Sequence, residues 1–164
     1  MTEIRTDVRT TGDGADHASG RGAIPAIAKL IRTIDTCMLA TRGDDGLLEA
    51  RPMSNNGEVE WDGNSWFFAP ADGRLVAQIR RDPETLTTYH ATDRFGWVAL
   101  SGTARVIDDQ DAKRRLWLKE LERWFPNGPG DPGVALIEIR STSARWWTED
   151  GDGHADLRDG ADHS

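Results

Sequence analysis

The sequence predicts a mainly β domain, a small antiparallel β-barrel with flanking helices. Three observations favour this class. The 164 residues suit one domain. Short strand-like runs alternate with tight turns such as 43–46, and long helical crossovers do not separate them. Helical periodicity is confined to a few segments between these runs. Closing such a sheet into a barrel removes the exposed strand edges that invite aggregation.

The composition predicts a cytoplasmic protein that binds neither nucleic acid nor membrane. The formal charge is −8, from 20 basic and 28 acidic residues, whereas contacts to nucleic-acid phosphates need clustered Lys and Arg. No apolar run approaches about 18 residues, and the N-terminus lacks the apolar core of a signal peptide. The single cysteine, Cys37, excludes an internal disulfide and is predicted to be a buried hydrophobe. No His, Cys or carboxylate cluster in the sequence has metal-ligand spacing, so no metal site is expected.

The ordered body is predicted to span 23–148, between two polar tails. Residues 1–22 are rich in Gly, Asp, Thr and Arg and contain few large apolar side chains, so we expect them to be disordered or peripheral. Residues 149–164 carry six acidic side chains and one basic one, which predicts a solvated acidic tail.

Within the body, changes in hydrophobic period separate helices from strands. Apolar residues spaced three and four apart predict a helix over 24–34. A short helix is predicted over 74–82, where the next residue is proline, and the clearest helix over 110–124, with Asp109 suited to its N-cap. Gly102 is expected to form a bulge or bend. The predicted strands are 37–42, 47–53, 58–61, 65–69, 85–89, 94–107 and 134–140.

The stretch 51–83 carries the most informative chemistry. Arg51 lies near the end of one predicted strand, and Arg74 lies in the first turn of the helix that follows the next strands. A helix N-terminus offers free backbone N–H groups and the positive end of the helix dipole. Two guanidinium groups beside such an end would form a binding site for a phosphate dianion.

Several motifs occur in an order and spacing that are specific in combination. Together they resemble the FMN-binding split-barrel superfamily of pyridoxamine 5′-phosphate oxidase, and most closely its general stress protein branch, over roughly 24–147. The motifs are Met38-Leu-Ala-Thr41, Glu49-Ala-Arg51-Pro-Met53, Trp66-Phe-Phe-Ala69, Arg81-Asp-Pro83, Val98-Ala-Leu-Ser-Gly102-Thr-Ala104, Leu116-Trp117, Trp124-Phe-Pro126-Asn-Gly128, Asp131-Pro132 and Ala144-Arg-Trp-Trp147.

The resemblance implies a six-stranded antiparallel split barrel that forms a homodimer, with two FMN molecules in grooves between the subunits. It implies a flavin-dependent oxidoreductase that passes electrons from a reduced nicotinamide to an acceptor the sequence does not name. Arg51 would lie near the phosphate or the flavin edge. The positions implied for the cofactor site are Arg51, Pro52, Met53, Ser54, Phe67, Phe68, Ala69, Gly73, Arg74, Leu75 and Trp147.

The sequence departs from the family pattern at the phosphate motif. Where the family has Ser-Arg-Lys or Ser-Gly-Lys, this chain has Gly73-Arg74-Leu75. One charge-assisted phosphate contact is worth about 1.5–3 kcal/mol, so losing the lysine would weaken FMN binding by roughly one to two decades. Two alternatives therefore stay open. The barrel would hold another cofactor, such as F420, haem or FAD, or it would be a dimer without cofactor that binds a partner.

The segment after Trp147 departs from the family pattern as well. It does not reproduce the arginine-containing substrate segment of the true oxidase, since only His154-Ala-Asp156-Leu-Arg158 lies in that neighbourhood. We therefore do not expect oxidation of pyridoxamine phosphate.

Overall fold

Seven strands and three α-helices follow one another in residues 20–158, which are the residues that the computed structural model describes. Residues 1–19 and 159–164, which belong to the two predicted tails, lie outside the described residues. The strands are β1 (Thr36–Arg42), β2 (Leu48–Ser54), β3 (Asn64–Pro70), β4 (Glu84–His90), β5 (Gly96–Ile107), β6 (Val134–Thr148) and β7 (Gly151–Asp156). The helices are α1 (Ile24–Ile31), α2 (Arg74–Arg81) and α3 (Gln110–Leu116).

These strands form one antiparallel sheet with the path β2-β1-β4-β5-β6-β3. The strands β3 and β7 lie one after the other along the same edge of β6, opposite its first and second halves. The path ends at β2 and β3, and within residues 20–158 no pairing joins those two strands, so the barrel is split there. The predicted mainly β, antiparallel class is confirmed, with seven strands in the described part where the family resemblance implied six.

The bulge predicted at Gly102 is present. The register between β5 and β6 shifts between Ser101 and Gly102. A Cβ atom at Gly102 would stand 2.7 Å from the carbonyl oxygen of Arg140 and 2.9 Å from Cγ2 of Ile139, which is closer than such atoms approach. A side chain there would push the two strands apart, so glycine allows the long pair to bend around the core.

Alternate strand residues point into one apolar core. Leu39 of β1 and Leu100 of β5 are 0% and 1% exposed. The helix α1 adds Ile27 and Ile31 to this core, and α2 adds Val76 and its neighbours. The helices therefore contribute packing to a barrel whose strands supply most of the buried side chains.

The single helix predicted over 110–124 is broken in the structure, where a 3-10 helix over Lys119–Arg123 follows the end of α3. The helix α3 begins as expected, because the Asp109 carboxylate accepts the first-turn N–H groups at 2.9 and 3.2 Å. It ends at Trp117, whose φ of −66° and ψ of 133° are extended. The extended residue places its indole edge-on against Phe68, with ring centroids 5.1 Å apart. Trp124 is 59% exposed and does not belong to an apolar stripe.

Residues 58–61, predicted as a strand, lie in the loop between β2 and β3. Trp61 is nonetheless 7% exposed, and its Nε1 donates to Ser65 Oγ at 3.2 Å. The apolar character of this segment thus reflects a buried anchor in a loop.

The predicted boundary at 148 and the solvated acidic tail are also wrong for the described part of that tail. The final strand predicted to end at 140 continues to Thr148, and the chain then turns at Gly151, where φ is +126°. It returns as β7, which pairs with β6. Ala155 and Leu157 are 5% and 2% exposed. The acidic side chains alternate with residues that pack inward, so the folded body extends to Leu157.

Replacing Leu157 by Ala should lower the free energy of unfolding by about 2–5 kcal/mol, because the change leaves a cavity in the core. The measurement is urea denaturation followed by tryptophan fluorescence. Leu48→Ala is the matched control, since Leu48 is 68% exposed, and its effect should stay within about 0.5 kcal/mol. Equal effects of the two substitutions would mean that residues after 148 add nothing to the core.

Candidate functional site

Arg51 is held in a fixed position on β2. It pairs in register with the fully buried Leu39, so its side chain lies on the inner face of the sheet. Its Nη1 donates to the Leu39 carbonyl oxygen at 3.3 Å and to Thr41 Oγ1 at 2.7 Å. Its Nη2 donates to Gln78 Oε1 of α2 at 2.9 Å. These bonds orient the guanidinium group while its Nε–H remains available for a ligand.

A carboxylate that the sequence analysis did not assign to the site lies between the two predicted arginines. Glu49 accepts from Nε of Arg74 at 2.8 Å and also from its Nη2. It accepts from Nε2 of Gln78 as well, and it lies 3.8 Å from Nη2 of Arg51. Both predicted arginines therefore meet at one point, and a carboxylate occupies that point.

Two signals in the sequence could have found these partners. Glu49 precedes Arg51 by two residues, and the period-two alternation of a strand places both on one face. Gln78 lies three residues after Leu75 on the apolar side of α2, where an amide needs a polar partner.

The electrostatics of the group follow from these contacts. The bonds from Arg74 and then Gln78 lower the pKa of Glu49 from 4.5 to about 2. Burial lowers the pKa of Arg51, and the nearby Glu49 opposes that shift. The bond to Glu49 raises the pKa of Arg74. All three groups are thus charged near neutral pH, and one carboxylate with two guanidinium groups gives the trio a net charge of +1.

The N-terminus of α2 lies beside this group. The helix begins at Arg74, and Gly73 before it provides no side-chain cap, so first-turn N–H groups have no acceptor inside the helix. A Cβ atom at Gly73 would lie 3.0 Å from the Pro70 carbonyl oxygen, so a serine would be crowded there. Leu75 is 8% exposed and belongs to the core. The lysine position of the family motif is therefore occupied here by a packing residue.

The other residues predicted for the cofactor site lie on both faces of the sheet. Met53 lies on the inner face opposite Cys37, whereas Pro52 and Ser54 are exposed on the outer face. Phe67 and Ala69 are core residues at 2% and 3% exposed.

Phe68 and Trp147 both lie away from the two arginines within one chain. Phe68 points out of the barrel to the cluster under α3. Trp147 lies on β6, and three strands separate β6 from β2 in the sheet path. The structure thus brings Arg51, Gly73 and Arg74 together, and it does not bring Trp147 to them in a single chain.

The outer face of β1, β4 and β5 carries exposed apolar side chains beside polar ones such as Thr88 and His90, and this patch is called the outer sheet face below. Met38, Leu86 and Trp97 are 41%, 40% and 43% exposed on it. Ala40 pairs with Leu86 and with Ala50, so small and apolar side chains continue between them. An exposed apolar patch on a sheet is a candidate contact surface.

A separate cavity of about 850 Å³ lies between α1 and the loop 55–62. It is lined by charged side chains of both signs, including Lys29, Arg32 and Glu58. None of the residues predicted for the cofactor lines this cavity.

In the described part of the chain, residues 20–158, no group of three or more His, Cys, Asp and Glu side chains is arranged to hold a metal ion. No helix there is long and apolar enough to cross a membrane.

The family of the protein follows from comparison with known proteins. A family model described as pyridoxamine 5′-phosphate oxidase like matches residues 23–157. That match covers most of the chain, including β7. The chain therefore belongs to the pyridoxamine 5′-phosphate oxidase-like family.

Individual relatives are similar over different lengths. General stress protein 26 of Bacillus subtilis is 33% identical over 49 residues, which are 30% of this chain and 34% of that protein. The chain matches less than half the length of the curated relatives found. A structure from Clostridium acetobutylicum described as related to general stress protein 26 has a TM-score of 0.71 and 16% identity, covering 84% of this chain and 96% of that one. An FMN-binding, pyridoxamine 5′-phosphate oxidase-related protein from Nostoc punctiforme has a TM-score of 0.65 and 18% identity, covering 82% and 87%. These structural likenesses establish the shared fold.

The substitution Glu49→Gln should lower the melting temperature at pH 7, because it removes the charge that Arg74 binds. The folded pKa of Glu49 is depressed to about 2 from 4.5, so its stabilisation is present above the unfolded value and is lost as the pH falls toward the folded one. The difference in melting temperature between wild type and E49Q should therefore shrink between about pH 5 and pH 2. Scanning calorimetry at several pH values measures it. A difference that stays constant down to pH 3 would contradict this assignment.

Proposed function

We propose that this protein is an FMN-binding flavoprotein of the general stress protein type that acts as an oxidoreductase. The observation that carries the proposal is the meeting of Arg51, Arg74 and the N-terminus of α2 around the Glu49 carboxylate. A site in which two guanidinium groups already bind a carboxylate has the hydrogen-bond donors that a phosphate requires. Family membership supplies the flavin as the expected ligand.

The residues present suit the phosphate of FMN. Arg51 is oriented by Thr41 and Gln78, and Arg74, whose side chain is 66% exposed, could exchange its bonds to Glu49 for bonds to a ligand. The first turn of α2 adds N–H groups and a favourable dipole. The flavin ring would lie along the backbone at 53–54 and 67–69. When bound, FMN would supply the electron transfer, and the protein would bind the cofactor, orient it and limit its access to water.

The proposal includes a homodimer formed through the outer sheet face. Met38, Leu86 and Trp97 are exposed there at about two-fifths of their surface, and burying them against a second copy would be favourable. Three strands separate the strand of Trp147 from the strand of Arg51 along the sheet path of one chain. The expected place of Trp147 in the cofactor site therefore requires a second subunit.

Oxidation of pyridoxamine phosphate is not part of the proposal. The segment after Trp147 forms β7, and Arg158 is bound to Asp156 through Nε at 2.9 Å. That arginine is committed to a carboxylate two residues away. The substrate, the electron donor and the acceptor stay unassigned, and the cytoplasmic location stays a prediction of the sequence.

A barrel that works without FMN is the second candidate. Glu49 neutralises one of the two arginine charges, and Leu75 in the core replaces a phosphate-binding lysine. Both features favour a chain that is stable with no cofactor or that holds a different one, such as F420, haem or FAD.

Purified protein loaded with FMN and then desalted should retain flavin absorption bands at about one flavin per subunit. Arg51→Ala should weaken FMN binding by about tenfold or more, because it removes a charge-assisted contact. Arg115→Ala is the matched control, since Arg115 is exposed on α3 and should leave binding unchanged. A colourless wild-type protein would favour the second candidate, and thermal shifts with F420, haem and FAD would then compare the other cofactors.

Sedimentation velocity should give a dimer for the wild-type protein. Met38→Glu should shift it to monomer, because it places a charge at the centre of the outer sheet face. Leu47→Glu introduces the same charge at a side chain that is 66% exposed in the β1–β2 turn and should leave the dimer intact. A monomeric wild-type protein would refute the dimer.

A further inference from the structure

We propose that Glu49 is a specificity-determining residue that competes with the cofactor phosphate for Arg74 and Arg51. This inference rests on the proposed function, because it concerns the same site. It predicts that the native chain discriminates only weakly between a phosphorylated flavin and the same flavin without phosphate. The chemical class that the site would then accept includes the neutral flavin riboflavin.

The first argument is that the carboxylate uses the same donors that a phosphate would use. Glu49 accepts from Nε and Nη2 of Arg74, which are the two parallel donors of a guanidinium fork. It also lies 3.8 Å from Nη2 of Arg51. A phosphate oxygen cannot take the same place while the carboxylate is there.

The second argument is the charge balance. With Glu49 ionised, the carboxylate and the two arginines have a net charge of +1, so a phosphate dianion would bring the site to −1. With a neutral glutamine at the same position, the two arginines have a charge of +2, which the dianion would neutralise. Like charges within a few ångströms of each other repel, and the repulsion is larger where solvent is partly excluded.

The third argument is that the site consists of a fixed part and a movable part. Gln78 is 3% exposed, and its Oε1 holds Arg51 at 2.9 Å and accepts from Thr41 Oγ1 at 2.5 Å. Glu49 and Arg74 have side chains that are 29% and 66% exposed. An incoming phosphate can therefore displace the Glu49 carboxylate from Arg74 without disturbing Arg51. The cost of that displacement is what lowers the affinity for phosphate.

The test compares the dissociation constants of FMN and riboflavin by quenching of flavin fluorescence, for wild type and for Glu49→Gln. The substitution should tighten FMN binding by about tenfold or more and leave riboflavin within about twofold. Glu122→Gln is the matched control, because it makes the same change of charge at an exposed residue after α3. It should change neither constant.

The outcomes separate this inference from the proposed function. If FMN binds wild type and E49Q equally, the inference is overturned while flavin binding stands. If neither flavin binds either protein, the next measurement is the shift in melting temperature that inorganic phosphate causes in wild type and in E49Q. A larger upward shift of the melting temperature for E49Q than for wild type would support competition by Glu49 at a site that does not take flavin. Equal shifts, or none, would overturn the inference together with the proposed function.

Discussion

The long pairing between β5 and β6 is the constraint on which the rest of this structure depends. It runs from the pair Gly96–Thr148 to the pair Ile107–Leu136, and β4, β3 and β7 are all added to its two free edges. Two straight strands of this length could not enclose a core. The bulge at Gly102 bends them, because no side chain there separates β5 from the backbone of β6. The sheet path that starts from this pair ends at β2 and β3, and Arg51 lies on the strand at one of those ends.

In the arginine site, the structural ion pairs and the proposed phosphate binding would use the same groups. Arg51 is bound by Thr41 and Gln78, which orient it at the edge of the barrel. Glu49 forms ion pairs with both arginines and offsets one of their two positive charges. A buried or half-buried arginine without a counterion would be costly, so the carboxylate stabilises this arrangement of the arginines. The same carboxylate is then an obstacle to a phosphate. Stability of the barrel alone and affinity for a phosphorylated cofactor therefore impose opposite demands on residue 49.

Where local sequence signals failed, long-range packing was the reason. Helical spacing continued past Leu116, yet the chain leaves the helix because the Trp117 indole packs on Phe68 of β3. Acidic residues after 148 resembled a solvated tail, yet they alternate with residues that pair against β6. A Cβ atom at Gly153 would lie 2.3 Å from the Trp146 indole, so the glycine permits the ring to cover β7. Phe68 lies far from Trp117 in the sequence, so helical periodicity does not reveal that contact. The partner of β7 is the neighbouring hairpin strand, and the high acidic content hid the alternation of polar and inward-packing residues after 151.

The sequence by itself determined the mainly β class, the bend at Gly102, the start of α3 at Asp109, and the two arginines with the helix N-terminus beside them. Each of these depends on residues that are close in the sequence. The relevant patterns are the turn residues, the helix cap, the alternation along strands and the order of the family motifs. Only the tertiary structure decided that Glu49 lies between the arginines, that Leu75 is a core residue, and that Trp147 is distant from Arg51 in one chain. The physical reason is that strand register and helix docking set these relations. A sequence specifies both only through the collective packing of the whole barrel.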